Sequence, residues 1–234
     1  MKIQILQLLE GAAQARGLTV IIDVLRAFSL ECYLSHRGAA ELRPVATLEE
    51  AFAWRRRDPE VLLVGERGGA KCEGFDYGNS PSGIPAEAVR GRRIIHTTSA
   101  GTQGVVRAVH AEEIVSGSLV NAAAVAAYLR RRDPEEVSLV CMGNAGVREA
   151  PEDLLCAEYI RSLVLGEPFR SWSVGLGSCD TGAGRISSTP PPRIFTRSRI
   201  SGSVCGTTCS PSSCGRSGTR WVCVWKGWTF CEKD

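Results

Sequence analysis

The sequence predicts an α/β fold, a layered domain of alternating strands and helices built on a mostly parallel or mixed sheet. Two observations carry the prediction. Between Leu18 and Gly166, strand-like and helix-like patterns alternate about six times, which is how consecutive βα units read in a sequence. The first strand candidate is also a continuous β-branched apolar run, the pattern of a strand buried on both faces.

That strand is LTVIIDV (18–24), and LRAFSLECYLSHRGA (25–39) follows it with helical spacing. ELRPVA (41–46) is a short strand. TLEEAFAWRRRD (47–58) is a helix that opens with Thr47 and Glu50 at capping-box spacing. VLLV (61–64) is a strand that runs into a long loop, VGERGGAKCEGFDYGNSPSG (64–83). RRIIHTT (92–98) is a strand and GTQGVVRAVHA (101–111) a helix; EEIVSG (112–117) is a strand and LVNAAAVAAYLRRRD (119–133) a helix. EVSLVCM (136–142) is the last strand of the series, and PEDLLCAEYIRSLVLG (151–166) a helix with Pro151 in its first turn, where the missing N–H costs nothing.

After Phe169 the composition changes, so residues 1–170 are assigned to the α/β domain and 171–234 to an atypical, low-order tail. The tail is built from Ser, Gly, Thr, Arg, Pro and Cys and keeps neither a helical nor a strand period. Six of the ten cysteines lie in it, at spacings x3, x4, x8 and x7 from Cys205 to Cys231, without a CxxC pair or a histidine. That spacing argues against a zinc ribbon, and a disulfide module conflicts with the absence of a secretory leader in MKIQILQLLEGAAQARG. A disordered segment and a slip of the coding frame near residue 170 remain, and the frame slip is slightly favoured.

Charge divides at the same place. Residues 1–170 hold 20 Lys+Arg against 22 Asp+Glu, a net of −2; residues 171–234 hold 8 against 3, a net of +5. A nucleic-acid partner would therefore rest on the tail alone, and it is disfavoured. No apolar run approaches the roughly 20 residues needed to span a bilayer. The expectation is a cytoplasmic protein without a membrane role; a homo-oligomer is compatible with the sequence, which is silent on assembly.

In parallel α/β sheets, ligands gather at the carboxyl ends of strands. Four polar clusters fall there: Asp23 and Arg26; Glu66 and Arg67; His96, Thr97, Thr98, Ser99 and Gly101; and Ser116, Gly117, Ser118 and Asn121. Asp23 also suits a helix N-cap. The Thr/Ser/Gly turns suit either capped helix starts or cradles whose free N–H groups face an anion. His36 and His110, beside apolar neighbours, read as structural. The RRR runs at 55–57 and 130–132 read as solvated helix ends.

Taken together, the carboxylates Asp23, Glu66 and Asp76 can hold Mg²⁺, which takes one or two carboxylates and completes its shell with water and phosphate. Arg26 and Arg67 can fork onto phosphate or sulfonate oxygens. Asn79, Ser80, Thr97, Thr98, Ser99, Gly101, Thr102, Ser118 and Asn121 can bind the remaining oxygens. This toolkit suits metal-assisted phosphoryl chemistry on a small anionic phosphoester. No P-loop, GxGxxG or nucleophile elbow is present.

VIIDVLRA, VGERGG with GFDYGNSP, TTSAGTQG, SGSLVNA and EDLLCAEYI, in this order, resemble the 2-phosphosulfolactate phosphatase family of coenzyme M biosynthesis over residues 1–166. The resemblance implies an α/β fold, Mg²⁺ dependence and hydrolysis of 2-phospho-3-sulfolactate to 3-sulfolactate and phosphate. Asp23 and Arg26 match its first motif. Glu66, Arg67, Gly68 and Gly69 match the second, continued by Asp76, Gly78, Asn79, Ser80 and Pro81. Thr97, Thr98, Gly101 and Thr102 match the third, with Ser99-Ala100 where many members carry Thr-Asn. Asn121 and Glu152-Asp153 match the last two. Asp23, Arg26, Glu66 and Arg67 are thus the catalytic candidates, and Asp23, Glu66 and Asp76 the metal candidates. Two alternatives stand beside this reading: a non-catalytic small-anion binder or sensor, and a phosphatase for a different small phosphoester. Beyond about residue 170 the sequence departs from the family.

Overall fold

The computed structural model describes residues 1–169, together with the backbone of residues 220–225 and 228–230. The expectations for the tail otherwise fall outside the described residues. The chain opens with β1 (Lys2–Gln7) and α1 (Leu8–Gln14), a pair the sequence reading did not assign. It continues through β2 (Gly17–Ile22), α2 (Ala27–His36), β3 (Glu41–Pro44), α3 (Leu48–Arg57), β4 (Leu62–Arg67), β5 (Ala70–Lys71) and the short α4 (Ala86–Val89). Then come β6 (Arg93–Thr97), α5 (Gly101–Arg107), β7 (Ala111–Gly117), α6 (Ala122–Arg132), β8 (Glu136–Cys141) and α7 (Pro151–Leu165). The strands β9 (Arg220–Trp225) and β10 (Trp228–Phe230) close the order.

The α/β class is as expected. The strands divide, however, into two sheets, which alternation along the chain does not reveal. The larger runs β1-β8-β2-β7-β9-β10 and the smaller β3-β6-β4-β5. In the larger sheet β2 lies parallel between β8 and β7, which explains its unbroken apolar run. Leu18, Val20 and Ile22 face a core shared with Val125 and Leu129 of α6 and Ile160 of α7. Ile21, one residue out of phase, faces Ala12 of α1 and Ala27 and Phe28 of α2. In the smaller sheet β3, β6 and β4 run parallel and β5 turns back on β4.

Helix α2 joins the two sheets. Ala27 and Phe28 belong to the core of the larger sheet. Leu30 and Leu34 pack with Leu42, Val64 and Ile94 of the smaller one. The smaller sheet's far face carries Leu63 and Ile95 under Ala51 of α3. A helix with apolar residues on two sides needs two partners.

Local expectations hold where a side chain carries its own instruction. Thr47 Oγ1 accepts from Glu50 N at 3.1 Å, and Glu50 Oε2 accepts from Ala46 N at 3.2 Å, so the capping pair forms. Gly166 closes α7 in the left-handed region at φ 71. The two arginine runs do end α3 and α6, but they are not only solvated. Arg55 pairs with Asp76 and Arg132 with Glu113. His36 and His110 are exposed; the buried histidine is His96.

Candidate active site

The carboxyl ends of β2, β4, β6 and β8 open on one cleft of about 200 Å³, lined among others by Asp23, Arg26, Glu66, Asn79, Ser99, Asn144, Glu152 and Asp153. That is smaller than the roughly 300–1,000 Å³ typical of pockets for drug-sized ligands. Asp23 follows β2 in the larger sheet, and Glu66 ends β4 in the smaller one. The cleft therefore forms where the ends of the two sheets meet.

Three carboxylates are fixed there by backbone N–H groups. Asp23 Oδ1 accepts from Ala27 N at 3.1 Å and Oδ2 from Gly101 N at 2.9 Å. Asp153 Oδ1 accepts from Val24 N at 2.8 Å and Oδ2 from Gly143 N at 2.7 Å. Glu66 Oε1 accepts from Ser99 N at 2.6 Å, and its Oε2 from Gly69 N at 2.7 Å and Ser99 Oγ at 3.1 Å. Each carboxylate thus ties together two loops and keeps lone pairs for a ligand. The N-cap position of α2 is Arg26, without a side-chain cap bond; Asp23 sits three residues earlier, accepts from the first helical amide, Ala27 N, and forms a wall of the cleft.

Two backbone features make this placement work. Gly68 and Gly69, at φ 58 and 85, form the two-residue turn between β4 and β5. That positive-φ pair matches the twist of a tight hairpin, and it returns the Gly69 amide to Glu66. Gly101 permits a close approach: a Cβ there would sit 2.9 Å from both Ala27 Cβ and Asp23 Oδ2.

Burial raises the pKa of two of these carboxyls, Asp23 and Asp153. Asp23 is only 6% exposed, and its pKa is pushed up to about 7, first by desolvation, then by the negative charge of Asp153, with Glu66 adding to it. Two backbone N–H bonds pull the other way. Asp153 is raised too, again chiefly by burial. The cleft is acidic overall: Asp23, Glu66, Glu152 and Asp153 face one arginine, Arg26, in its lining.

Not every expected residue reaches the cleft. Arg67 follows Glu66 on β4, so strand alternation turns it to the opposite face. Its guanidinium donates to Glu66 O at 2.8 Å, Ala46 O at 3.1 Å and Thr97 Oγ1 at 2.8 Å, and it acts as an internal strap. Asp76 accepts from Leu63 N at 2.7 Å and pairs with Arg55. Leu63 lies three residues before Glu66 on β4, roughly 10 Å back along the strand. The carboxylate that stands beside Asp23 is therefore Asp153, not Asp76. Ser80 hydrogen-bonds Ser82 at 3.1 Å, outside the cleft lining.

The Thr/Ser/Gly turns are self-contained. Thr98 N donates to Thr102 Oγ1 at 2.8 Å and Thr102 N to Thr98 Oγ1 at 3.2 Å, while the amides of Ser99 and Gly101 serve Glu66 and Asp23. Thr97 Oγ1 faces Arg67, and Asn121 Oδ1 closes its own turn on Ser118 N at 2.8 Å. These amides hold protein carboxylates rather than a bound anion, which corrects the cradle reading. Of the expected residues, the cleft gathers Asp23, Arg26, Glu66, Asn79 and Ser99. Sequence reasoning ranked Glu152 and Asp153 too low, although an acidic pair in the first turn of a helix after a strand was a signal for them.

A separate outcome follows for Asp76. Asp76→Asn is expected to lower stability by about 1–2 kcal/mol, through the weakened bond to Leu63 N and the lost half-exposed pair with Arg55. It should leave phosphate release per folded molecule unchanged. A melt and a turnover assay on the same preparation check this, and loss of turnover without loss of stability would return Asp76 to the site.

An acidic, amide-braced cleft lies at the strand ends, the place where α/β folds take their ligands. The chain belongs to the 2-phosphosulpholactate phosphatase family, whose model matches residues 3–175. The resemblance read from the sequence is thereby borne out. It is 44% identical over 147 residues to a probable 2-phosphosulfolactate phosphatase of Deinococcus radiodurans, covering 62% of this chain and 61% of that protein. It is 39% identical over 150 residues to one of Caldicellulosiruptor saccharolyticus, with 62% of each chain covered. A third, of Thermotoga petrophila, is 43% identical over 138 residues, covering 59% of this chain and 58% of its own. The chain thus spans about three-fifths of the length of these relatives.

Proposed function

We propose that the chain is a Mg²⁺-dependent phosphomonoesterase that hydrolyses 2-phospho-3-sulfolactate to 3-sulfolactate and phosphate, in the formation of coenzyme M. The substrate follows the names of the relatives. The observation that carries the reading is the charge of the cleft: four carboxyl side chains and one arginine line it. A multiply charged anion entering such a cleft meets net repulsion unless a cation enters with it or beforehand.

The donor set fits Mg²⁺ in particular. Among the described residues no three His, Cys, Asp or Glu side chains form a complete metal cage. Mg²⁺ does not ask for one, since it uses one or two carboxylates and leaves the rest of its shell to water and phosphate. Asp23 and Asp153, whose charges raise each other's cost, would hold it, with Glu66 near enough for its charge to be felt at Asp23. Bound there, the ion would neutralise the phosphoryl oxygens and lower the pKa of water.

The chain's own residues supply the rest. Arg26 stands exposed in the lining and forks onto substrate oxygens. The oxygens of Asp23 and Asp153 are each engaged by a backbone N–H, which weakens them as nucleophiles and favours water as the attacking group. Holding the ion, Asp23 and Asp153 would be ionised, and Glu66, which lines the same cleft, could accept the proton of the attacking water. A cytoplasmic setting belongs to the same proposal. Among the described residues no helix is long and apolar enough to cross a membrane.

The test is phosphate release by the purified chain from 2-phosphosulfolactate and from unrelated small phosphoesters, with Mg²⁺ and with EDTA. Release that requires Mg²⁺ and prefers the sulfonated substrate is expected. Mg²⁺-dependent release from another phosphoester alone would keep the reaction class and discard the substrate. Binding of phosphate without turnover by a cooperatively melting chain would replace the enzyme with a small-anion sensor.

A further inference from the structure

Behind the cleft wall lies a polar group that neither the carboxylates nor Arg26 explains. His96 on β6 and Glu31 on α2 are both fully buried, each with 0% exposure. His96 Nδ1 lies 2.9 Å from Glu31 Oε1, and His96 Nε2 lies 3.4 Å from Asn79 Oδ1. Asn79 is itself part of the cleft lining. The three residues form a line from the junction of the two sheets to the wall of the cleft. Buried polar groups without a packing role are costly, so this line needs a reason.

From these contacts we infer that the Glu31–His96 dyad is a positioning device: it fixes the Asn79 amide so that its NH₂ group donates into the cleft, to an anionic oxygen of the ligand. The inference rests on the phosphatase reading for the nature of that ligand.

The argument is one of donors and acceptors. An amide oxygen only accepts, so a contact between Asn79 Oδ1 and His96 Nε2 requires a proton on Nε2. The contact on the other side of the ring then carries one proton between Nδ1 and Glu31 Oε1. Either imidazolium donates to carboxylate, or a carboxylic acid donates to the neutral ring. Both forms leave the dyad without net charge, as a fully buried site demands. Burial drives the Glu31 carboxyl upward, while His96 and the Ser116 hydroxyl hold it back. With its oxygen turned to His96, Asn79 has its Nδ2 left over. Among the described residues that nitrogen has no hydrogen-bond partner in the protein. In a lining with four carboxyls, a neutral donor held in place can recognise a phosphoryl or sulfonate oxygen without adding a counter-charge for the carboxylates to capture.

The reverse arrangement is chemically distinct. If Glu31 accepted from Nδ1–H of a neutral ring, Nε2 would be an acceptor. Asn79 would then have to turn its NH₂ inward and show the cleft a carbonyl oxygen, which would repel the anion. The dyad therefore decides the sign of the dipole that Asn79 presents.

Two measurements test this on the full chain. The first is ¹⁵N NMR of histidine-labelled protein, with His96→Gln used for assignment and the exposed His36 and His110 as internal references. The His96 signal is expected to show Nε2 protonated from pH 5 to 9. An Nε2 without its proton anywhere in that range overturns the inference. The second is calorimetric binding of inorganic phosphate in the presence of Mg²⁺. Asn79→Ala and Asn79→Asp should each weaken binding by about tenfold or more, the loss expected for a hydrogen bond to a charged group. His96→Gln, whose amide can still donate to Asn79 Oδ1, should stay within a few-fold of wild type. Wild-type affinity in Asn79→Ala overturns the role of the amide. Absence of phosphate binding in the wild type overturns both that role and the phosphatase reading, whereas an intact phosphate site with the wrong tautomer overturns the dyad alone.

Discussion

Asp23→Asn is expected to lower Mg²⁺-dependent phosphate release by roughly 10²–10⁴-fold, the several kcal/mol that a catalytic ion supplies. The substitution keeps the shape of the side chain and removes the charge that would hold the ion. It also replaces one of two acceptor oxygens with an NH₂ group facing the backbone N–H of Ala27 or Gly101, so the loop after β6 loosens slightly. A circular dichroism melt beside the assay separates the two effects. The reading requires lost turnover in a protein that still melts cooperatively. Turnover within tenfold of wild type would remove Asp23 from the chemistry and leave it as a brace between the amides of Ala27 and Gly101. Asp153→Asn should act in the same direction, because Asp153 stands in the same cleft on the same kind of amide pair.

The second large effect concerns stability and pH. The Asp23 carboxyl titrates at about 7 in the folded chain against 3.8 as its ordinary value. Between those values the native state keeps a proton that the unfolded chain has already released. Stability of the metal-free chain therefore falls as pH rises from about 4 and levels off above about 7. A shift of roughly three units corresponds to an upper bound of about 4 kcal/mol across this window. Asp153 is raised as well and contributes with the same sign. Glu41 is held low by Arg93 and Arg43, so its contribution is lost only as pH falls into the acid range.

The expected result in EDTA is thus a melting temperature lower at pH 8 than at pH 5.5, with a flatter profile in Asp23→Asn. Mg²⁺ should raise the melting temperature of wild type most at pH 8, where the carboxyls are ionised and repel, and should do little for Asp23→Asn. A flat wild-type profile in EDTA would mean that Asp23 titrates as an ordinary carboxyl. The same repulsion that destabilises the empty cleft is what a divalent cation relieves, so function and stability oppose each other at this residue.

How much of this was legible beforehand differs from residue to residue. The αβ alternation, the capped start of α3 and the closing glycine of α7 were readable because each is a local instruction, set by one or two neighbours in the chain. Asp23 and Glu66 were readable as strand-end carboxylates, since a charge at the end of an apolar run has few other reasons to be there. Arg67 was misplaced although the rule that places it, the alternation of strand faces, was in hand. The Gly-rich stretch after β4 was readable as a long loop, but not that its glycine pair makes a hairpin returning an amide to Glu66. β1 was missed because Lys2–Gln7 is a half-exposed edge strand that runs directly into helix-like sequence.

The sequence by itself determined the fold class, the family, and the strand ends at which the cleft opens, because hydrophobic period and short motifs are written along the chain. Only the tertiary structure decided that there are two sheets joined by α2. It alone put Asp153 beside Asp23 while Asp76 went to Arg55, and turned the amides of the Thr/Ser/Gly loop toward protein carboxylates. The physical reason is range. Period, capping and turn chemistry act over a few residues, whereas a carboxylate's partners are chosen by whichever backbone N–H groups the packed core leaves within about 3 Å of it, and those come from segments tens of residues away.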